Sequence, residues 1–136
     1  MSTANYFTII DLMRSTTAER LKIDNQPSDE VKEELRITVC RLNLISLIAN
    51  AYGASIQVTS GYRCERLDKA VGGTGNSLHM QGRAVDFIVS DIEATRKLYD
   101  ALKEEPCLKL LGICELIAHT NFIHVGFLRH SLEVKK

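Results

Sequence analysis

The chain has 136 residues, enough for one domain with a single buried core, so we treat residues 1–136 as a single domain. Seventeen basic and seventeen acidic side chains give a formal net charge of zero, and no run of Lys or Arg occurs. The composition therefore indicates no nucleic-acid partner and no anionic-membrane patch. No segment approaches the roughly 20 apolar residues of a membrane span, and we expect no membrane insertion.

Helical periodicity dominates the first part of the chain. Residues 3–14 carry apolar positions at helical spacing and are followed by a polar segment through Pro27, which predicts a short helix and a loop. Between residues 28 and 52 apolar side chains recur every three or four positions. A Ser cap precedes this run and Gly53 follows it, so it predicts the longest helix of the chain.

The pattern then changes to that of strands. Residues 55–60 alternate β-branched and polar side chains and predict a strand, and a glycine-rich loop with one helical turn before it follows. Residues 83–89 predict a second strand. The S-x-x-E sequence at 90–93 resembles a capping box and predicts a helix to about residue 105. Residues 116–117 and 122–127 predict two short strands that pair as a hairpin.

The order of these elements predicts the fold class. Helices come first, and strands with one inserted helix follow, which is typical of an α+β fold. We expect an antiparallel sheet that carries the functional site on one face. The helix over residues 28–52 is expected to pack against the other face.

Two of the predicted strands each present a polar side chain on the face away from the core. Alternation assigns Val85, Phe87 and Val89 to the core and leaves Asp86 on the opposite face with Ala84. In the last strand the same alternation leaves His124 beside Gly126, facing away from the apolar positions around it.

A carboxylate among apolar neighbours needs a partner, because burying it alone costs several kcal/mol. His79, which lies seven residues before Asp86 and across Gly82, and His124 are candidate partners. Two imidazoles, one carboxylate and a water would complete a four-coordinate catalytic zinc site. On spacing alone, hydrogen-bonded structural histidines are the alternative interpretation.

The segment Ser77-x-His79-x-x-Gly82-x-Ala84-x-Asp86 resembles the signature of the zinc D-alanyl-D-alanine carboxypeptidase-like family, peptidase family M15. Phage endolysins belong to the same group, which shares its fold with the hedgehog signalling domain. The blocks T-S-G-Y-R at 59–63, A-V-G-G at 70–73 and F-I-H-V at 122–125, and the region around 23–27, are similar to further segments of the small carboxypeptidase-like branch. The similarity covers most of the chain.

The resemblance implies a role for five residues. His79, Asp86 and His124 would bind Zn²⁺. Arg63 would contact the carbonyl or carboxylate of the substrate, as a catalytic and substrate-binding residue. Ser77 would contact the substrate, although a serine at this place is also ordinary turn chemistry.

The general base is where the chain departs from the resemblance. Many relatives carry Glu or Asp three residues before the last ligand, and Asn121 occupies that position here. His119, five residues before His124, is our first choice as the catalytic proton carrier, since a neutral imidazole is a competent base near pH 7. Glu115 is the second choice, and a chain without a working base is the third. His130 is expected to be solvated and idle.

The resemblance predicts a zinc metallopeptidase that cleaves D-Ala-containing stem peptides of peptidoglycan, as a carboxypeptidase or an endopeptidase. The alternatives are an inactive peptidoglycan-binding protein that retains the zinc site and a virion component that docks on the cell wall. Because the N-terminus shows no secretion signal, we expect synthesis in the cytoplasm and release to the wall or periplasm, as for a phage or prophage lysin. We expect a monomer.

Overall fold

The structure is a computed structural model, and it describes residues 6–129. His130 lies outside the described residues. Within them no helix is long and apolar enough to cross a membrane. The elements, in chain order, are α1 Ile9–Met13, α2 Thr16–Leu21, α3 Asp29–Ala51, β1 Ile56–Ser60, α4 Glu65–Ala70, a 3₁₀ turn Leu78–Gln81, β2 Ala84–Val89, α5 Ile92–Leu102, α6 Glu105–Leu111, β3 Ile113–Ala118 and β4 Ile123–Phe127.

The strands form one four-stranded sheet in the order β1-β2-β4-β3. All three neighbouring pairs are antiparallel. The predicted α+β class with an antiparallel sheet is therefore confirmed. Asp86 lies on β2 and His124 lies on β4. These are the two central strands, and each of them pairs with a strand on both sides.

The long helix α3 packs against one face of this sheet, as predicted. Ser28 caps the helix, because its hydroxyl accepts a hydrogen bond from Val31 N at 3.3 Å. The helix ends at Ala51, within one residue of the predicted end. One buried cluster joins helix and sheet, and its fully buried members include Leu35, Leu42, Ile45, Val85, Phe87, Ile123, Val125 and Phe127. The opposite face of the central strands is thereby left for polar side chains.

Four predictions about the elements were wrong in detail. The polar segment before Pro27 contains the short helix α2. The cap of α5 is Asp91, whose carboxylate accepts from Ala94 N at 2.9 Å, and the Ser90 hydroxyl accepts from Ser55 N instead. The expected continuous helix ends at Leu102, and the second helix α6 begins with a proline in its first turn. Strand β3 is six residues long rather than two.

Candidate metal centre

Strand pairing brings Asp86 and His124 together. The two residues are directly opposite each other in the β2–β4 ladder, so their side chains project from the same face of the sheet. Their predicted orientation is therefore correct. His124 Nδ1 lies 2.8 Å from Asp86 Oδ1, which is a hydrogen-bonding distance.

His79 reaches the same place from the 3₁₀ turn before β2. The chain reverses at Gly82, which has φ +72°, a conformation that glycine adopts without strain. Thr38 of α3 donates a buried hydrogen bond of 2.6 Å to the Gly82 carbonyl. The long helix thus fixes the bend that lies between the first histidine and Asp86.

One ring nitrogen of His79 is already used by the backbone. His79 Nδ1 lies 2.7 Å from the carbonyl oxygen of Gly61, to which it donates when it carries the proton. The other nitrogen, Nε2, lies 3.4 Å from Asp86 Oδ1. The Gly61 contact therefore orients a buried imidazole with Nε2 directed at the carboxylate, in the arrangement typical of a metal-bound histidine.

The electrostatics of the cluster favour an ionised Asp86. Burial alone would raise the pKa of Asp86, but hydrogen bonds with His124 and His79 outweigh it and hold this pKa well below its usual range. The hydrogen bond to Asp86 raises the pKa of His124, burial opposes this rise, and Glu115 adds to it. A carboxylate kept charged beside two imidazoles is a donor set suited to a divalent cation.

The spacing of the three side chains fits zinc. Each offers one ligand atom, and these atoms lie within 4.8 Å of one another. Ligands at zinc bond lengths in a tetrahedral site are about 3.3 Å apart, which is close to the 3.4 Å between His79 Nε2 and Asp86 Oδ1. The atoms that face each other are His79 Nε2, Asp86 Oδ1 and His124 Nδ1. These are the atoms that would hold the ion.

Glu115 contacts the far side of His124. Its Oε1 lies 2.8 Å from His124 Nε2. The β3–β4 register shifts by one residue between Ile113 and Glu115, and this bulge moves Glu115 to the face of the sheet that carries His124. Gly126 leaves room for the carboxylate, because a Cβ at Gly126 would be 2.5 Å from Glu115 Oε1.

Arg63 and Ser77, the predicted substrate contacts, are joined by a residue that sequence reasoning missed. Arg63 Nε lies 3.0 Å from Asp68 Oδ1, and the Ser77 hydroxyl donates to the same oxygen at 2.8 Å. Asp68 is fully buried in α4. The only indication in the sequence is the glycine-rich loop that follows it, since Asp68 itself resembles any charge on a short helix.

His119, the first choice for the general base, lies elsewhere. Its ring stacks on Phe122 with centroids 4.3 Å apart. It lines a cleft of about 470 Å³ together with Tyr99 and Ile123, and none of the three candidate ligands lines that cleft. Within residues 6–129 the structure brings Glu115, not His119, into contact with the cluster, so the assignment of His119 stays a prediction.

A comparison with curated proteins finds no match. A family model described as Peptidase M15, in contrast, matches residues 5–126, which is most of the chain. The matched region contains the His79, Asp86 and His124 cluster. Peptidases of this family are typically zinc-dependent, in agreement with the donor set. The chain therefore belongs to the peptidase family M15.

Proposed function

We propose that this peptidase is a zinc enzyme that cleaves D-Ala-containing stem peptides of peptidoglycan. The observation that carries the proposal is the convergence of His79 Nε2, Asp86 Oδ1 and His124 Nδ1 within 4.8 Å. The choice of peptide rests on the resemblance of residues 77–86 to the D-alanyl-D-alanine carboxypeptidases. The phage or prophage setting stays a prediction.

His79, Asp86 and His124 would hold the ion, which when bound acts as a Lewis acid on the scissile carbonyl and activates water. The chain supplies the remaining tasks. Gly61 holds His79 through its Nδ1. Glu115 accepts from His124 Nε2, which keeps the proton on that nitrogen and leaves the Nδ1 lone pair for the metal.

Substrate binding is assigned to Arg63. It lines a groove of about 670 Å³ along β1 that none of the three candidate ligands lines. What places Arg63 beside the cluster is its main chain, since Arg63 N donates to the carbonyl of His79 at 3.2 Å. Its guanidinium can form a two-pronged contact with the terminal carboxylate of a peptide. Arg63 Nε already faces Asp68, so the two Nη groups are the ones that would make this contact.

For proton transfer we propose Glu115, with His119 as the alternative. A base must come within hydrogen-bond reach of the proton that it removes. Glu115 is the nearer candidate, because its carboxylate bonds to His124 Nε2 and its residue is exposed to solvent. Since Nε2 is the ring nitrogen away from the metal ligands, the Glu115 side chain would have to turn toward the metal side to act as the base. His119 would have to be carried from the neighbouring cleft by a change in the β3–β4 turn.

Digestion of purified peptidoglycan, followed by mass spectrometry of the soluble products, tests this proposal. The zinc-loaded chain is expected to release D-Ala or to cut cross-links next to D-Ala. A chelator and the Asp86→Ala variant should both abolish release. Products cut only in the glycan, or equal release from Asp86→Ala, would contradict the proposal. Wall binding without any cleavage would favour the inactive binding protein.

A further inference from the structure

The side chain of Asp68 is the most deeply enclosed carboxylate among the described residues. Asp68 has no exposed surface, and two hydrogen-bond donors and the charged side chain of Arg63 surround its carboxylate. The Ser77 hydroxyl and Arg63 Nε approach Oδ1 at 2.8 Å and 3.0 Å, and Gly75 N donates to Oδ2 at 2.9 Å. A buried carboxylate needs such partners, because desolvation without them costs several kcal/mol.

The glycine-rich loop is shaped around this carboxylate. A Cβ at Gly73 would lie 2.3 Å from Asp68 Oδ2, so any side chain there would displace the carboxylate. Gly75 has φ +82°, a conformation that glycine adopts without strain. In this conformation the Gly75 N–H donates to the carboxylate of Asp68. The glycine cluster, which matches no phosphate-binding motif, thus has a defined role as the wall of the Asp68 pocket.

The charge in this pocket is matched to Arg63. Burial alone would raise the pKa of Asp68, but the hydrogen bonds of Ser77 and Gly75 and the charge of Arg63 lower it, so the carboxylate is ionised. The Arg63 side chain is 18% exposed. Within residues 6–129 Asp68 is its one ion-pair partner, and Arg63 Nε has no hydrogen bond of good geometry. The contact between Arg63 Nε and Asp68 is therefore an ion pair rather than a well-formed hydrogen bond.

The backbone at Arg63 is fixed separately. Asn25 Nδ2 donates to the carbonyl of Tyr62 at 3.1 Å, and Asn25 Oδ1 accepts from Cys64 N at 2.8 Å. Arg63 N donates to the His79 carbonyl at 3.2 Å. The main chain is therefore held on both sides of Arg63, and the direction of the side chain is left to Asp68.

We propose that Asp68 is a positioning residue that orients the guanidinium of Arg63, whose main chain bonds to His79, for the terminal carboxylate of the peptide substrate. On this proposal Ser77 acts through Asp68 rather than by touching substrate. The inference rests on the proposed function, because it assigns the substrate contact to Arg63. It goes beyond that function by naming Asp68 as the residue that orients Arg63 for its contact with the substrate carboxylate.

Steady-state kinetics on Asp68→Asn test the proposal, with Glu65→Gln as a matched control from the exposed side of the same helix. The substrates are a D-Ala-D-Ala peptide with a free carboxylate and its C-terminal amide. In Asp68→Asn we expect KM for the free acid to rise roughly 10- to 100-fold, as for loss of a charged hydrogen bond. KM for the amide and the zinc content should change little. Glu65→Gln should match the wild type.

A double mutant separates positioning from a merely structural role. If Asp68 acts through Arg63, adding Asp68→Asn to Arg63→Ala leaves KM for the free acid unchanged. The ¹⁵N–¹H signal of Arg63 Nε should also exchange faster with solvent in Asp68→Asn, a readout that needs no turnover. Three results would overturn the inference. They are an equal rise in KM for the free acid and the amide, additive effects of Asp68→Asn and Arg63→Ala on KM, and an unchanged signal of Arg63 Nε.

A wild-type chain that cleaves no D-Ala peptide would contradict the proposed function rather than this inference. In that case, calorimetric titration with the free-acid peptide compares the peptide affinity of the zinc-loaded wild type with that of zinc-loaded Asp68→Asn. Weaker binding in Asp68→Asn supports the proposal, and unchanged or absent binding overturns it.

Discussion

The ring of His124 lies between two carboxylates, and each of its nitrogens has a different task. Nδ1 faces Asp86 and Nε2 faces Glu115, both at 2.8 Å. Since only one nitrogen of an imidazole can bind a metal while the other donates, Glu115 decides which one is free. The same residue is our candidate for the base, so its two roles have to be separated by experiment.

Glu115→Gln keeps an oxygen that can accept from His124 Nε2 but removes the basic group. We expect zinc affinity to change little and turnover to fall roughly 100-fold or more. Glu115→Ala removes the acceptor as well and should also weaken zinc binding, by roughly 10- to 100-fold. His119→Ala should keep its zinc affinity and most of its turnover. Normal turnover in Glu115→Gln with a severe loss in His119→Ala would assign the base to His119.

The stability of the metal-free protein should depend on pH through His124. Its pKa is raised in the folded state, first by the hydrogen bond to Asp86, so the folded protein holds this proton more tightly than the unfolded chain. The resulting stabilisation is full below about pH 6.5, the ordinary pKa of histidine, and is lost as pH rises through the folded-state value.

Thermal unfolding of the metal-free chain from pH 6 to pH 9 measures this effect. We expect the contribution of His124 to make the melting temperature fall with pH, and His124→Gln to remove that part of the dependence. Zinc affinity should follow the opposite trend, since the metal competes with the proton on Nδ1. A zinc affinity that is higher at pH 6 than at pH 8 would contradict the assignment of His124 as a ligand.

At the scale of elements, the site depends on one bend and two irregularities of the sheet. The bend at Gly82 connects the turn that carries His79 to the strand that carries Asp86. A bulge in β3 brings Glu115 to the site face. A second register shift in β1 places Ser60 opposite Asp86.

Gly82→Ala and Gly53→Ala form a matched pair at this scale. Both glycines have positive φ, but a Cβ at Gly53 meets nothing within 4 Å, whereas at Gly82 it lies 3.0 Å from Leu35 Cγ. We expect Gly53→Ala to cost about 1 kcal/mol of unfolding free energy and Gly82→Ala about 2 to 4 kcal/mol. Only Gly82→Ala should weaken zinc binding. Denaturant titrations measure the loss of unfolding free energy, and equal losses in the two variants would contradict this prediction.

The elements also show which features were predictable. Strand alternation has a fixed period of two, so the sequence sufficed to place Asp86 and His124 on one face. A bulge changes that period without a sequence pattern of its own, which is why the position of Glu115 could not be read in advance. Asp68 was missed because its burial depends on a loop that closes only in the folded chain.

At the scale of the whole molecule, core and site occupy opposite faces of one sheet. The apolar side of α3 packs on β2 and β4, and the polar cluster projects from the other side. None of the three candidate ligands belongs to the apolar core cluster. Stability and metal binding should therefore be separable by mutation.

Leu42→Ala and Leu44→Ala test this separation on one helix. Leu42 is fully buried, whereas Leu44 is 50% exposed. We expect Leu42→Ala to lower the free energy of unfolding by about 2 to 5 kcal/mol and Leu44→Ala by less than about 1 kcal/mol. The folded fraction of both variants should bind zinc as the wild type does. A loss of zinc affinity in folded Leu42→Ala would show that the two faces are coupled.

The central claim is that His79, Asp86 and His124 form one zinc site. Calorimetric titration of the metal-free chain with zinc, compared with Asp86→Ala, tests it most directly. We predict one zinc per wild-type chain and no measurable binding in Asp86→Ala, because that change removes the anionic ligand and leaves two imidazoles. Equal stoichiometry and affinity in the two proteins would contradict the account.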